Sequence, residues 1–364
     1  MLKVKESEII KELGEKVLAG GRLTAEEALR LYQSNDIISL GYYARALKEK
    51  KTGQKVFFIT NRHINHTNIC LNRCKFCAFS RDEEDEDAYV MSAAEVVEAA
   101  GSSVKDNITE LHIVGGCHPT LPYSYYLEMI SELHKAYPAI HIQAFTAVEI
   151  DYFAKISGKD AGEVLADFKE AGLGSLPGGG AEIFSERTRK LAWEKKVGAG
   201  RWLEIMELAH GQGINSNATM LYGHIETLEE RIDHLLRLRD LQDKTGGFKA
   251  FIPLAFHPQN TELDSLAKTT GYDDIKTLAV ARLVLDNFDH IKAFWIMVGP
   301  KLAQVSLQFG VDDVDGTVVE EKITHAAGAD TEESIAKDDL IHLVKDAGYT
   351  PVERDTLYNE IKTF

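Results

Sequence analysis

The chain is poor in cysteine and proline, with four and eight residues among 364. Four thiols cannot staple a chain of this length, which excludes a disulfide scaffold of the secreted type. No run approaches the ~20 apolar residues that a membrane-spanning helix needs. No Pro-, Gly- or Ser-rich linker divides the sequence, so one compact unit is favoured over independent domains. Dense Lys and Arg stretches are missing as well, and 41 basic against 57 acidic residues give a formal charge of −16. Nucleic acid and anionic membrane are therefore poor partners for this chain. The opening MLKVKESEIIKELGEKVLAG mixes acid, base and apolar residues and has no apolar core of a secretory signal, so a cytoplasmic location is expected. What remains, 44% hydrophobic and 27% charged residues, is the composition of an ordinary globular protein.

Helix starts are written into the sequence by capping-box spacing: Thr24 with Glu27, Ser92 with Glu95, Thr227 with Glu230. After a helical region, VFFITNRHINHTN reads as an extended strand running into a cysteine-rich loop. Strand and helix patterns then alternate through ELHIVGG, IHIQAFTAV, LGSLPGG, INSNATMLYG, FKAFIPLAF and HIKAFWIMVG, giving seven strand-helix units with an eighth unassigned. Such alternation implies a parallel sheet, and so many repeats suit a closed α/β barrel of the TIM type. The expected organisation is an N-terminal helical extension over 1–50, a (β/α) barrel over 51–311 and a C-terminal extension over 312–364 that packs back on the barrel.

On a barrel strand alternate residues face the lumen. His141, Gln143 and Phe145 then share one face of their strand, and Asn215, Asn217 and Thr219 share one face of theirs. Polar lumen faces on several strands point to a polar ligand inside. The acidic run from Arg81 to Asp87 reads as a solvated loop, since like charges at this density repel.

Three of the four cysteines, Cys70, Cys74 and Cys77, fall in CLNRCKFC at the end of the first barrel strand, where such barrels carry their catalytic loops. Three thiolates on one short loop can hold three corners of a 4Fe-4S cluster and leave the fourth iron open to an outside ligand. A structural zinc site is the alternative; Cys117 or His118 in GGCHP would complete it. The C-x3-C-x2-C spacing with Phe76 before its last cysteine resembles the radical S-adenosylmethionine (SAM) superfamily. HINHTNICLNRCKFCAFSR, GGCHP, HIQAFTAVEIDYFAKISG, SLPGGGAEIFSERTR, NATMLYGHIET and DGTVVEEKITHAAGA extend the likeness to the aminodeoxyfutalosine synthase family of the futalosine route to menaquinone. His66 and Cys117 depart from that pattern, standing where Tyr and Leu are usual.

The resemblance implies a radical SAM barrel with cluster ligands Cys70, Cys74 and Cys77 and with SAM as cosubstrate. It implies transfer of the 5′-deoxyadenosyl group to 3-[(1-carboxyvinyl)oxy]benzoate, with a flavodoxin- or ferredoxin-like electron donor. It also places Phe76 near the adenine and Gly115 and Gly116 at the methionine amino group. Gly178, Gly179 and Gly180 enter a helix, where backbone amides can meet a carboxylate. Glu182 is a candidate for the ribose hydroxyls or the ammonium of SAM. A substrate with two carboxylates calls for cations and strong donors, for which His63, His118, His141, Gln143, His224, His257, Arg62 and Arg201 are the candidates. Cyclic dehypoxanthine futalosine synthase is the competing enzyme reading, and a zinc- or cluster-binding sensor the competing non-enzymatic one.

Overall fold

A computed structural model describes residues 2–104 and 107–364, with side chains from Ser7 onward. Three helices come first, Leu2–Leu18, Ala25–Gln33 and Ile37–Thr52. Thr24 caps the second of them: its hydroxyl accepts from the Glu27 amide, and the Glu27 carboxylate accepts from the Thr24 N–H at 2.8 Å. Ser92 with Glu95 and Thr227 with Glu230 form the same reciprocal cap. Two further boxes, Thr146 with Glu149 and Asp160 with Glu163, start the helices Ala147–Ser157 and Ala161–Ala171. Each cap satisfies two N–H groups that a helix start otherwise leaves unpaired.

The strands are β1 (Lys55–Ile59), β2 (Asn61–Ile64), β3 (Glu110–Ile113), β4 (His141–Ala144), β5 (Ser175–Leu176), β6 (Asn215–Tyr222), β7 (Phe248–Ala255), β8 (His290–Ile291), β9 (Asp313–Gly316), β10 (Thr350–Arg354) and β11 (Glu360–Thr363). Strands β2 to β8 make one parallel seven-stranded sheet in sequence order, curled as the alternating pattern predicts. Helices follow its strands and cover the outer face. Leu111, Ile113, Ile142 and Ala144 are buried on that face, while Glu110, His112 and Gln143 look inward on a cavity.

Two sequence expectations change in the structure. VFFITNRHINHTN is not one strand: β1 pairs with β10 and β9 in a separate four-stranded sheet, and only β2 belongs to the barrel. Thr60 is the switch point, its hydroxyl donating to Glu353 at 2.8 Å and its carbonyl accepting from the Thr109 amide at 2.8 Å, so one residue serves both sheets. Phe145 does not share the lumen face with Gln143. A φ of 64° ends the pleat there, and the ring turns outward to lie 4.9 Å from both Phe153 and Phe168.

The gap between β8 and β2 is spanned by residues 313–319. Single parallel bridges join Lys292 to Asp313 and Arg62 to Val319, so this segment occupies the place of the unassigned eighth unit. Buried charge fixes it. Arg282 and Asp312, both without solvent exposure, pair at 2.5 Å, and His290 adds a second contact to Asp312 at 2.8 Å. Arg354 of β10 holds Asp313 at 2.6 Å. Removing either partner of such a pair strands a charge in the interior, which makes the closure specific.

Among the described residues no helix is long and apolar enough to cross a membrane.

Candidate active site

The C-terminal ends of the barrel strands open on a cavity of about 330 Å3, within the range that small-molecule ligands occupy. Cys70, Cys74 and Cys77 line it from the loop after β2, with Phe76 beside them. The loop is held mainly by its own backbone: the Cys70 amide donates to the Arg81 carbonyl at 3.1 Å, Cys77 to Cys74 at 2.9 Å and Lys75 to Ala192 at 2.9 Å. Arg73 reaches across it to the Ser80 carbonyl at 2.6 Å.

The three thiols differ in their surroundings. Burial pushes the Cys74 thiol up to about 12 and raises Cys77 as well. Cys70 falls to about 5, because the Cys117 thiol donates to its sulfur. Among the described residues no three Cys, His, Asp or Glu side chains are drawn together as metal ligands, and the Cys70 sulfur is engaged by Cys117. The donor set nevertheless fits an iron-sulfur cluster. Three soft sulfur ligands lie on one loop at one cavity, and two of them are held neutral by burial, so a cation is what would turn them into thiolates.

Facing the thiols are Gly115 and Gly116, just beyond β3. The Gly116 amide donates to the Thr67 carbonyl at 3.0 Å, and a Cβ on Gly116 would stand 2.0 Å from the Ile69 carbonyl oxygen. Only glycine allows that approach. The Gly115 amide donates to Glu149 at 3.1 Å. Burial raises the Glu149 carboxyl to about 7, against the pull of its bonds from Thr146 and Gly115.

On a third side lie Gly179, Gly180, Glu182 and Lys196. Gly178 sits behind them, at φ 82°, with no room for a Cβ against the Asn217 carbonyl. The Lys196 ammonium is ion-paired to Glu182, which is buried, the lysine side chain keeping 11% exposure. Burial alone would lower the lysine; the Glu182 charge outweighs it and holds the ammonium protonated. Its Nζ stands 5.3 Å from the centre of the Phe76 ring, which meets Trp193 edge-on at 5.5 Å.

The floor is polar. His63 and His112 stack at 4.4 Å, His112 meets Gln143 at 3.2 Å, and Gln143 donates to Ser175 at 3.1 Å. Burial lowers both histidines, so they are neutral near pH 7. Lys292 extends to Asp315 at 3.0 Å. Asn217 and Thr219 of β6 complete this surface, as the strand alternation predicts, while Asn215 lies outside it and donates to the Gly247 carbonyl at 3.2 Å; His257 lies at the rim with its Nε2 2.9 Å from the Met297 carbonyl.

Five candidates lie outside the cavity. Arg62, next to His63 on β2, takes the opposite face of the pleat and donates to Ser102 and Ser103 at 2.7 and 2.6 Å. Arg201 is paired with Asp151 and Glu204 at 2.8 and 2.9 Å. His141 lies one step below Gln143 and bonds Ser175 at 2.8 Å. His118 accepts from the Thr120 amide at 3.2 Å. His224 folds back on its own turn, accepting from the Ile225 amide at 2.7 Å and meeting the Leu221 carbonyl at 3.0 Å.

Sequence reasoning missed Lys196, Lys292, His112 and Glu149. His112 in ELHIV and Lys292 in HIKAF obey the same alternation that singled out Gln143, so the signal was present. Glu149 reads as a capping residue and is one, its second oxygen being left for Gly115. Lys196 sits in WEKKVGAG, which has the look of a surface charge run.

Comparison with known proteins gives the chain's family. The chain matches the radical SAM superfamily over residues 64–238 and the CofH/MqnC C-terminal region over residues 245–363. The aminodeoxyfutalosine synthase of Thermus thermophilus is 49% identical over 97% of this chain and 96% of its own length. That of Streptomyces coelicolor is 44% identical over 97% and 94%. The 5-amino-6-(D-ribitylamino)uracil–L-tyrosine 4-hydroxyphenyl transferase of Methanopyrus kandleri is 41% identical over 88% of each. A solved methylornithine synthase superimposes at a TM-score of 0.75 with 18% identity, over 93% of this chain and 97% of that one, which establishes the common fold. A 4Fe-4S cluster and SAM are the cofactors of such enzymes, and a small molecule is the substrate. The chain belongs to the radical SAM superfamily and, within it, to the family of the aminodeoxyfutalosine synthases.

Proposed function

We propose that the enzyme joins the 5′-deoxyadenosyl group of SAM to 3-[(1-carboxyvinyl)oxy]benzoate, with migration of the aryl group from oxygen to carbon and loss of carboxylate. The product is 6-amino-6-deoxyfutalosine, used in menaquinone biosynthesis. The observation that carries this reading is 49% and 44% identity, over nearly the full length, to two aminodeoxyfutalosine synthases, in a chain whose cavity joins the cysteine loop to a polar floor. The cluster and SAM, when bound, supply the electron and the adenosyl radical; the protein supplies position, dryness and charge.

Cys70, Cys74 and Cys77 would hold the cluster. Lys196 and Glu182 offer a cation and an anion to the carboxylate and ammonium of the amino-acid end of SAM, with Gly115 and Gly116 exposing backbone beside them. Phe76 would lie against the adenine. At the floor, the Lys292 ammonium takes a substrate carboxylate, and the neutral His63 and His112 donate without adding charge. Ile252, Leu254 and Phe294, which also line the cavity, exclude water from the aryl ring. A small flavodoxin- or ferredoxin-like protein delivers the electron in the cytoplasm, where four free thiols persist.

The test is anaerobic reconstitution with iron and sulfide, then reduction with SAM and 3-[(1-carboxyvinyl)oxy]benzoate and mass analysis of the adenosine-containing products. A product carrying both adenosyl and aryl parts, lost on Cys74→Ala, supports the reading. Intact SAM beside a verified, reduced cluster would overturn it.

A further inference from the structure

Cys117 has no part in the chemistry above, yet it is buried against the cysteine loop. Its thiol stands beside Cys70 and is the strongest influence on it, and Asn72 Nδ2 donates to Cys117 Sγ at 3.4 Å. The backbones are tied in register: the Leu71 amide donates to the Cys117 carbonyl at 3.0 Å. Gly116 lets them lie this close, since its Cβ would come within 2.9 Å of Cys70 Cβ. Two thiols on neighbouring, hydrogen-bonded segments meet the first requirement of a disulfide, which forms only where the backbones already approach. Cys74 and Cys77 have no such neighbour outside their own loop.

We propose that Cys117 is a resolving thiol for Cys70: in the cluster-free enzyme a peroxide oxidises the pair to a disulfide, which withholds Cys70 from the cluster until a thiol reductant reopens it. Cys70 sulfur attacks hydrogen peroxide, the O–O bond breaks, and a sulfenic acid and one water result. Cys117 sulfur then attacks the sulfenic sulfur, the S–S bond forms, and hydroxide leaves with the Cys117 proton as a second water. Two thiols lose two electrons and one peroxide gains them. Without Cys117 the sulfenic acid loses its thiol neighbour on the facing segment; a second peroxide then oxidises it to the sulfinic acid and leaves as water, and thiols do not reverse that product. The pair thus protects the empty site from irreversible loss. Its effect on iron uptake rests on Cys70 being a cluster ligand; formation of the bond does not.

The experiment uses the full chain, stripped of iron under anaerobic conditions and treated with hydrogen peroxide in several-fold excess, enough for the two equivalents that a sulfinic acid consumes. Free thiols are then blocked and the protein is mapped by peptide mass without reductant. In the wild type a cross-linked peptide containing Cys70 and Cys117 is expected. Iron uptake on reconstitution should fall at least fivefold and return after dithiothreitol. In Cys117→Leu and Cys117→Ser, dithiothreitol should recover little uptake, and sulfinic acid should appear at Cys70. A wild-type map in which the cross-link joins Cys74 to Cys77, or contains no Cys70–Cys117 peptide, overturns the pairing. A Cys70–Cys117 cross-link with full iron uptake leaves the bond standing but overturns the switch, and with it the placing of Cys70 among the cluster ligands.

Discussion

Gly116→Ala puts one methyl group where the site has least room. The new Cβ would stand 2.0 Å from the Ile69 carbonyl oxygen and 2.7 Å from its carbon, against a normal contact above 3 Å. A flexible side chain could turn away, but these are backbone atoms. They are held on both sides by the bonds from Gly116 to Thr67 and from Leu71 to Cys117, each at 3.0 Å. The segments must therefore part by about 1 Å, at the overpacking cost of roughly 1–3 kcal/mol. For a chain of this size that lowers Tm by a few degrees. The larger effect is local, because the segment that moves leads directly into Cys70. Gly116→Ala should therefore lose cluster iron several times faster than the wild type in the presence of a chelator. Gly200, a helical residue with nothing within 4 Å of its Cβ position, is the control; Gly200→Ala should leave iron retention unchanged and raise stability by up to about 1 kcal/mol. Equal Tm and equal iron retention in Gly116→Ala and wild type would refute the close-packing argument.

Other outcomes follow from the same geometry. Glu182→Gln strands the buried Lys196 ammonium, a change that costs about 3–5 kcal/mol where a buried pair is broken; thermal unfolding should show the loss and equilibrium binding a weaker grip on SAM, and an unaltered Tm with unaltered SAM affinity would show the pair to be idle. Lys292→Met removes a charge-assisted hydrogen bond of about 1.5–3 kcal/mol and leaves the buried Asp315 without its partner, so Tm should fall and, in the protein that remains folded, KM for 3-[(1-carboxyvinyl)oxy]benzoate should rise roughly ten- to hundredfold while SAM binding is unchanged; a weakened SAM affinity with normal KM would place Lys292 in the wrong subsite. His325 is raised to about 9, first by its bond with Glu321. Its contribution to stability is therefore full below its ordinary value of 6.5 and disappears as pH rises through 9. The Tm gap between wild type and His325→Gln should be widest near pH 6 and close by pH 10, and a gap independent of pH would remove the ion pair as its cause.

The barrel was legible because each strand-helix unit is local and its hydrophobic pattern changes period from two to 3.6 within a few residues. Its closure was not, because the partners are far apart in the chain: Asn61 and Thr317, which bond each other across the seam, are 256 residues apart. The same alternation that placed Gln143, Asn217 and Thr219 on the cavity wall separates Arg62 from His63, so adjacent candidates on one strand could not both serve the cavity. His118 and His224 sit at strand ends, as a site histidine should, but their rings are taken by nearby backbone groups that a sequence does not display. Lys196 was hidden for the opposite reason. A loop lysine becomes a buried ion-pair partner only because the turn after Trp193 brings it over Phe76 and onto Glu182.

The most direct test of the central claim follows the carbon that leaves SAM. The reconstituted, reduced enzyme is given SAM labelled with 13C at the 5′ adenosyl carbon, together with 3-[(1-carboxyvinyl)oxy]benzoate, and the label is located by NMR. The account predicts a labelled carbon bonded to a new carbon in a product that also holds the aryl ring and has lost one carboxylate. Label found solely in 5′-deoxyadenosine, with the benzoate substrate unchanged, would contradict it.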